Sequence, residues 1–252
     1  MSLSDEELER YARHIVLPQV GGAGQRKLQH TSVAVIGAGG IGSAVMPALA
    51  GAGVGKLTIV DSDVVELTNL HRQPLFSEVD AGKPKAQLAA EFVQQLNRFV
   101  HVVPKQERIG PENAADLLAG HDLVIDGSDN FATRLAVSDT CVDLGIPLVS
   151  AAAVQFQGQI GLFRSKPCYR CFVGDAFDAD DCDTCAADGV LGAFVGTVGA
   201  FAAMSVIRLI LAGHATLGDP QWGRIQLIDG LAPSMRTLRI VKDPDCRGCS
   251  AA

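Results

Sequence analysis

The sequence is poor in aromatic residues and has no excess of positive charge. Phe, Trp and Tyr make up 5% of the 252 residues, and the formal net charge at pH 7 is −7. No stripe of Lys and Arg interleaved with aromatic side chains is present, although nucleic-acid-binding proteins typically carry one. We therefore expect no nucleic-acid partner.

The sequence also lacks a secretory signal. It begins MSLSDEELERYARHIV, which is acidic and amphipathic, without a basic segment followed by an apolar one. Residues 190–207 carry no charge, but they are rich in Gly and Ala, and Arg208 continues the same helical pattern. A buried or subunit-interface helix explains them better than a membrane span. We expect a cytoplasmic protein that does not cross a membrane.

The segment after residue 31 has the pattern of a βαβ unit. A short valine-rich run at 32–36 predicts a buried strand, and the glycine-rich turn GAGGIG follows it directly. A helix is predicted over 40–52 and a second strand over 56–60, which ends at Asp61. This order is typical of the first half of a nucleotide-binding fold.

The glycines of this turn include Gly37, Gly39 and Gly40. They allow backbone N–H groups to approach a phosphate at the positive end of the helix. A carboxylate at the position of Asp61 can accept hydrogen bonds from both ribose hydroxyls. The motif alone suits NAD, FAD, S-adenosylmethionine or ATP, and it also suits a tight turn without a ligand.

Polar and charged residues further along narrow the choice of ligand. Asn69, Arg72 and Lys85 follow Asp61, and Asp129 follows the predicted fourth strand. A pyrophosphate bridge needs few side-chain cations, whereas a triphosphate with Mg²⁺ needs several, and a carboxylate for the metal. The set favours ATP with Mg²⁺. The helix dipole disfavours Lys85 in a first helical turn, so this lysine is either solvated or offset by a nearby anion.

The rest of the chain continues the alternation of helices and strands. Further helices are predicted at 5–16, 23–29, 83–96, 111–119 and 131–144. Further strands are predicted at 100–104, 122–125, 147–154, 157–164, 224–229 and 235–241. The fold class is α/β, a Rossmann-like, doubly wound and mostly parallel sheet with an antiparallel C-terminal extension.

We expect a single domain over residues 1–252, because 48% hydrophobic content supports one large core. N-terminal helices occupy 1–30, a nucleotide-binding half 31–150 and a second half 151–252. Within the last, residues 174–188 are acidic and rich in small side chains, which is typical of a mobile loop.

Four of the seven cysteines form two C-x-x-C pairs, Cys168 with Cys171 and Cys246 with Cys249. Without a secretory signal, cysteines indicate metal or catalytic roles more than disulfides. Two such pairs match a closed, structural zinc site that would hold the C-terminus onto the middle of the chain. A redox dithiol and unrelated thiols are the alternatives.

The other three cysteines have different settings. Cys141 lies in the predicted helix at 131–144 and is expected in the core. Cys182 and Cys185 lie in the acidic segment, where neighbouring aspartates disfavour the thiolate.

In order along the chain, these motifs resemble those of bacterial adenylyltransferases that activate ubiquitin-like sulfur-carrier proteins. The family includes molybdopterin-synthase adenylyltransferase and its thiamine-pathway counterpart, relatives of ubiquitin-activating enzymes. The similar motifs cover nearly the whole chain: RYARHIVLPQVGGAGQRKL, GAGGIG, DSDVVELTNLHRQ, KPKA, GSDNFATR, CYRC, C-x-x-x-G-V and CRGC. The resemblance implies that ATP and the C-terminal glycine carboxylate of a carrier ending in Gly-Gly give an acyl-adenylate and pyrophosphate. It thereby implies that residues 1–252 are a single adenylation domain and that 151–252 are its carrier-binding half.

The resemblance also implies roles for single residues. Asp61 would hold the ribose, and Asp129, beside Asn130, would hold Mg²⁺. Arg13 matches an arginine that reaches the triphosphate of the other subunit, so a homodimer is expected. The implied nucleotide-binding set is Gly37, Gly39, Gly40, Asp61, Asp63, Thr68, Asn69, Leu70, His71, Arg72, Lys85, Asp129 and Asn130. The implied catalytic set is Arg13, Arg72, Lys85, Asp129 and Cys185.

Some positions depart from the family pattern. Thr68 and His71 stand where Ser and Gln are usual, and Ser205 and Arg208 replace a common Glu and Lys. Cys182 is an extra thiol.

Cys185 matches a cysteine that takes part in later sulfur transfer in some members, and a plain loop cysteine is the alternative. The extra thiol also leaves open a Cys182–Cys185 redox pair. No rhodanese-like extension follows Cys249, so we expect a separate sulfur donor.

Three other functions are weighed against adenylation of a carrier protein. Arg72, Lys85 and Asp129 argue against an NAD-dependent oxidoreductase and against a zinc-stabilised scaffold without turnover. A tRNA-modifying dehydratase that adenylates a small carboxylate is the third, and the two C-x-x-C pairs and the acidic charge favour a protein carrier instead. The sequence does not choose between molybdopterin, thiamine and other pathways, because surface contacts decide the carrier.

Overall fold

An eight-stranded sheet organises the residues that the computed structural model describes, namely 3–174, 189–214, 217–218 and 220–250. The strands are β1 (Ser32–Ile36), β2 (Lys56–Val60), β3 (His101–Lys105), β4 (Leu123–Asp126), β5 (Leu148–Val154), β6 (Gln157–Phe163), β7 (Arg224–Asp229) and β8 (Ser234–Arg239). Their order in the sheet is β3-β2-β1-β4-β5-β6-β7-β8.

The first five strands are parallel and the last three are antiparallel. This confirms the predicted fold class. β1 pairs with β2 on one side and with β4 on the other, so the chain changes direction of winding at β1. In open α/β sheets, such a switch point opens a crevice at the carboxyl ends of the strands.

Helices cover both faces of the sheet. They are α1 (Asp5–Arg10), α2 (Ala12–Ile15), α3 (Gly21–Gln29), α4 (Gly40–Ala52), α5 (Lys85–Leu96), α6 (Ala114–Leu118), α7 (Phe131–Leu144), α8 (Arg170–Val173) and α9 (Gly192–Ile210). One hydrophobic cluster packs α4, α5 and α9 against the sheet, and a second packs α6 and α7.

α9 is long and apolar enough to span a membrane by composition, with a mean hydropathy of 1.8 over its most apolar window. Core helices of globular proteins pass the same test. Phe194, Val198, Ala202 and Val206 repeat at helical spacing and are buried against α4 and the sheet. The helix therefore fits the interpretation as a packed helix.

The predicted bounds agree with the structure to within three residues except at the N-terminus. The capping box between Ser4 and Glu7 is present, as predicted. The first helix, however, was expected to run unbroken to residue 16, and it breaks at Tyr11. The next helix begins at Gly21 instead of residue 23.

Tyr11 breaks the helix because its side chain is held by distant residues. The side-chain amide of Asn97 donates to the Tyr11 hydroxyl at 2.7 Å and to the Ala50 carbonyl at 2.6 Å. A Cβ atom at Gly53 would lie 2.6 Å from the ring, so only glycine fits beneath it. Burial raises the pKa of Tyr11, which keeps the phenol protonated. These contacts fix the N-terminal helices to the C-terminal end of α4.

The division into a nucleotide-binding half and a carrier-binding half stays a prediction. Of the acidic segment 174–188, all but Gly174 lies outside the described residues, and so do Cys182 and Cys185.

We expect Asn97→Ala to lower the free energy of unfolding by about 2–4 kcal/mol, because a buried amide and both of its acceptors lose their partners. Urea denaturation followed by circular dichroism measures this. Tyr11→Phe should cost about 1 kcal/mol, since Asn97 keeps the Ala50 carbonyl. Gln94→Ala, on the exposed face of α5, is the matched control. A midpoint for Asn97→Ala equal to that of Gln94→Ala would contradict this account.

Candidate functional site

A cleft of about 930 Å³ opens at the carboxyl ends of the parallel strands, where the winding reverses. Twelve of the thirteen residues predicted to bind nucleotide line it: Gly37, Gly39, Gly40, Asp61, Asp63, Thr68, Asn69, His71, Arg72, Lys85, Asp129 and Asn130. Leu70 is not among them, because its side chain packs against the hydrophobic cluster of α4 and α9. Binding of nucleotide by this set stays a prediction.

The glycine-rich turn places the start of α4 in the cleft. Gly37 has φ +89°, and a Cβ atom at Gly42 would clash with the Gly37 carbonyl oxygen, so the turn requires glycine at both positions. Gly39 is the N-cap and offers no side-chain acceptor to the first turn. The first backbone N–H groups of α4 are therefore available to an anion.

Asp61 directly follows β2, and backbone N–H groups orient its carboxylate. One carboxylate oxygen accepts from the Ala38 N–H at 2.7 Å and the other from the Asp63 N–H at 2.8 Å. Burial raises the pKa of Asp61, and these two donors together with Lys85 oppose that rise. Each oxygen retains acceptor capacity, so two hydroxyl groups of a ribose can still donate to it.

Lys85 is buried in the first turn of α5, so its interpretation as a solvated side chain is wrong. Its Nζ lies 3.2 Å from an Asp63 carboxylate oxygen, which is the offsetting anion within the chain. The Asp63 side chain is 66% exposed, so solvent screens the pair. A phosphate group could take the place of Asp63.

Arg72 is half-buried and lines the same cleft. Its Nη1 donates to the Thr68 carbonyl at 3.1 Å and to His71 Nε2 at 2.9 Å. Nearby, the side-chain oxygen of Asn69 is buried, and it has no partner within the described part of the chain. This amide can therefore meet a ligand.

Asp129 follows β4 and is exposed at the edge of the cleft. No described residue donates a hydrogen bond to its carboxylate. The neighbouring Asn130 is the N-cap of α7, and its side chain accepts from the Thr133 N–H at 2.9 Å. A carboxylate without a donor, next to a candidate phosphate site, suits Mg²⁺. This ion typically binds one or two carboxylates and completes its coordination shell with phosphates and water.

Arg134 was not predicted as part of the site. This buried guanidinium donates to the Ser150 hydroxyl at 3.0 Å, to the Ala151 carbonyl at 2.8 Å and to the Ser128 carbonyl. It thereby fixes the loop that carries Asp129 onto β5. The sequence does contain a signal for this role. Arg134 lies on the same apolar helix face as Val137 and Cys141, and an arginine buried on such a face needs hydrogen-bond partners in the core.

Arg13 and Cys185 are not brought into the cleft by the described residues. Arg13 is exposed on α2, two residues after Tyr11, whose ring lies against Gly53 at the C-terminal end of α4, whereas the cleft lies at the N-terminal end. The thirteen residues of α4 separate these ends by about 20 Å. Cys185 lies outside the described residues.

The two C-x-x-C pairs meet away from the cleft. The Sγ atoms of Cys168 and Cys246 are 3.6 Å apart, those of Cys171 and Cys249 are 3.5 Å apart, and all four lie within 4.8 Å of one another. Four thiolates about 2.3 Å from a tetrahedral zinc would lie about 3.8 Å apart, so the residues fit that ion.

The environment of the cysteines indicates a closed site. Three of the four are buried and Cys171 is partly so. Burial raises the pKa of the Cys168 thiol. Burial acts the same way on Cys171, but backbone N–H donors from Asp243 and Cys168 outweigh it and lower its pKa. Cys141 lies apart in the core, as predicted, and burial raises its pKa.

The cysteine cluster is tied to α7 through Arg170. Its Nε donates to an Asp139 carboxylate oxygen at 2.8 Å, and its Nη2 donates to the other at 2.8 Å. A Cβ atom at Gly248 would lie 2.8 Å from both side chains, so the C-x-x-C pair of Cys246 and Cys249 packs directly on this ion pair.

Comparison with known proteins agrees with this architecture. The model of the ThiF family matches residues 11–248. The sulfur carrier protein adenylyltransferase of Thermus thermophilus is 41% identical, over 99% of this chain and 93% of the relative. The SAMP-activating enzyme E1 of Haloferax volcanii is 41% identical, over 99% and 91% respectively. The adenylyltransferase and sulfurtransferase MOCS3 of Bos taurus is 43% identical, but this chain spans only 54% of its length.

The fold is also similar to a solved structure. Escherichia coli MccB with ATP has a TM-score of 0.80 and 24% identity, over 96% of this chain and 74% of that one. At this identity the likeness concerns the fold.

We expect Cys249→Ser to lower both the bound zinc and the melting temperature, because one thiolate of four is lost from a site that joins two distant segments. Zinc content by mass spectrometry and differential scanning calorimetry measure the two effects. Cys141→Ala is the matched control, since this buried thiol lies outside the cluster, and its zinc content should stay unchanged. Full zinc content in Cys249→Ser would exclude the four-cysteine site.

Proposed function

The chain belongs to the ThiF family, and from this we propose that it is an ATP-dependent adenylyltransferase acting on the C-terminal glycine carboxylate of a small sulfur-carrier protein. The observation that carries the proposal is the cleft. It gathers Arg72, Lys85, Asp61 and Asp129 around the free N-terminus of α4.

The proposed reaction balances without a proton transfer. A carboxylate oxygen of the carrier attacks the α-phosphorus of ATP and forms a new O–P bond. The bond from the α-phosphorus to the bridging oxygen breaks, and pyrophosphate leaves with the electron pair. Because the attacking carboxylate is already ionised at neutral pH, the step needs no general base and depends on positioning and on stabilisation of the leaving group.

The cleft residues supply these two effects. The N–H groups of α4, with Arg72 and Lys85, offset the charge that grows on the departing pyrophosphate. Asp61 accepts from the ribose hydroxyls and so fixes the nucleotide. Asp129, beside Asn130, would hold Mg²⁺, which when bound shields the phosphate charge and orients the phosphates.

The carrier tail has a path from the antiparallel side of the sheet. Ala152 and Ala153 of β5 line the cleft there, together with Gly189 and Val190, which pair with Gln155 just after β5. Small side chains on this side suit a narrow tail such as Gly-Gly. The relatives from Thermus and Haloferax are named for sulfur-carrier and SAMP activation, which supports a protein carrier. They do not favour an oxidoreductase or a tRNA-modifying dehydratase.

A homodimer would explain how Arg13 reaches a bound nucleotide, although it does not line the cleft of its own chain. Within one chain the segment that carries Arg13 and the cleft lie at opposite ends of α4, about 20 Å apart, which supports a role for Arg13 at the cleft of a second copy. α9, which packs beside α4, exposes Ala193, Thr197, Ala200 and Met204 at helical spacing. This largely apolar strip suits contact with another subunit.

Other parts of the pathway stay predictions. They are the later role of Cys185, the separate sulfur donor, and the choice between molybdopterin and thiamine synthesis.

Asp129→Asn should lower ATP–pyrophosphate exchange by at least about 100-fold, because the metal loses its protein ligand. The assay contains labelled pyrophosphate, Mg²⁺ and candidate carriers ending in Gly-Gly. Asp116→Asn, an exposed acid on α6, should exchange like the parent protein. Full exchange by Asp129→Asn would contradict the assigned site, and no exchange by the parent protein with any such carrier would contradict the proposed function.

Mixing two inactive variants tests the dimer. Arg13→Ala and Asp129→Ala remove residues from different subunits of one site, so each homodimer should be inactive. After subunit exchange at equal concentrations, half of the dimers are mixed and each contains one intact site, which predicts about a quarter of the parent activity. A mixture as inactive as its components would mean that Arg13 acts within its own chain, and full activity of the Arg13→Ala homodimer would place Arg13 outside the reaction.

A further inference from the structure

We infer that His71 is a positioning residue for Arg72 and that it acts only while its imidazole is neutral. The inference rests on the proposed function, since it concerns how the phosphate-binding arginine is presented to the nucleotide. It starts from the contact between His71 Nε2 and Arg72 Nη1, at 2.9 Å.

The backbone beside this contact is held on both sides. The Arg72 N–H donates to the Asn69 carbonyl at 3.0 Å. A Cβ atom at Gly192, the first residue of α9, would clash with the His71 carbonyl, so α9 lies directly against this segment. The start of α4 lies on the other side, where a Cβ atom at Gly40 would be 3.4 Å from the Arg72 carbonyl. The remaining freedom is therefore in the side chain of Arg72.

Two acceptors fix that side chain. Nη1 of a guanidinium carries two hydrogens, and Arg72 gives one to the Thr68 carbonyl and the other to His71. Nε and Nη2 have no acceptor among the described residues. The contacts of Nη1 thus hold the guanidinium and leave its other edge, Nε and Nη2, available in a residue that lines the cleft, and that edge can bind two phosphate oxygens at once.

As a hydrogen bond, this contact requires an imidazole with a free lone pair on Nε2. A guanidinium only donates hydrogen bonds, so Nε2 must accept and the ring proton must be on Nδ1. A protonated imidazole would place an N–H against an N–H and two positive charges side by side. Arg72 would then lose one of its two anchors, and its free edge would no longer be fixed.

Histidine is the side-chain type that generally changes charge near neutral pH. Among the described residues that line the cleft, histidine occurs at position 71. The charged groups that line the same cleft come from the segments after β2, β3 and β4 and from α5 and α7: Asp61, Asp63, Glu66, Arg72, Lys85, Glu107, Arg108, Asp129 and Arg134. Carboxylates generally titrate below this range and Lys and Arg above it. α9 brings no charge until Arg208, near its far end.

The test compares His71→Gln and His71→Ala with the parent protein. The glutamine amide oxygen can accept the same hydrogen bond at any pH, whereas alanine removes it. ATP–pyrophosphate exchange is measured from pH 5.5 to 9, with melting temperatures for all variants. Because the phosphates of ATP titrate in the same range, the ratio of parent to His71→Gln at each pH isolates the histidine.

We expect kcat/KM of the parent to fall relative to His71→Gln as the pH decreases through the range in which histidines titrate. His71→Ala should be about tenfold lower than His71→Gln at every pH, at an unchanged melting temperature, because Arg72 is less fixed. Equal pH profiles for the parent and His71→Gln would overturn the inference, as would full activity of His71→Ala.

ATP binding by calorimetry separates this inference from the proposed function. If the parent protein exchanges no pyrophosphate, adenylation fails, but the affinities of the same variants for ATP still decide the role of His71. In an Arg72→Ala background, His71→Ala should change the affinity no further, because it acts through the arginine. A second full loss of affinity in that background would show that His71 meets the phosphate itself.

Discussion

The free positive end of α4 is the constraint on which the rest of the structure depends. Its first N–H groups have no acceptor among the residues that the structure describes, because Gly39 caps the helix without a side chain and Gly37 and Gly42 let the turn close tightly. Such groups must be met by water or by an anion. The parallel strands end at the same place, so the acids and cations that follow them converge on whatever anion binds there.

The cleft balances its charges before a ligand arrives. Lys85 would be costly to bury alone beside a positive helix end, and the Asp63 carboxylate offsets that cost. The Asp63 side chain is exposed and screened, so a phosphate of higher charge can displace it. Asp63 therefore holds Lys85 in place but competes only weakly with a phosphate ligand for the lysine ammonium group. Asp61 is set in the same way by two backbone N–H groups that leave it free to accept more hydrogen bonds.

Sequence patterns predicted the elements whose stability is local. The bounds of β1, α4, β2, α7 and β7 were predicted correctly, since periodicity and turn residues define them. The break at Tyr11 was not predicted, because it depends on Asn97, 86 residues away. In the site, twelve of the thirteen residues that the motifs predicted do line the cleft. The motifs predicted neither the pairing of Lys85 with Asp63 nor the contacts of Arg134. Those contacts join segments that only the folded sheet brings together.

α7 connects the cysteine cluster to the cleft, which explains how a closed metal site can serve an enzyme whose chemistry occurs elsewhere. Asn130 caps the helix at the cleft, and Asp139, nine residues or about 14 Å along it, holds Arg170 beside Cys171. Arg134, between them, fixes the Asp129 loop to β5. A metal bound to the cysteines would hold Arg170, and Arg170 would hold α7. The cluster then contributes rigidity to the loop that carries Asp129, and it needs no open coordination position to do so.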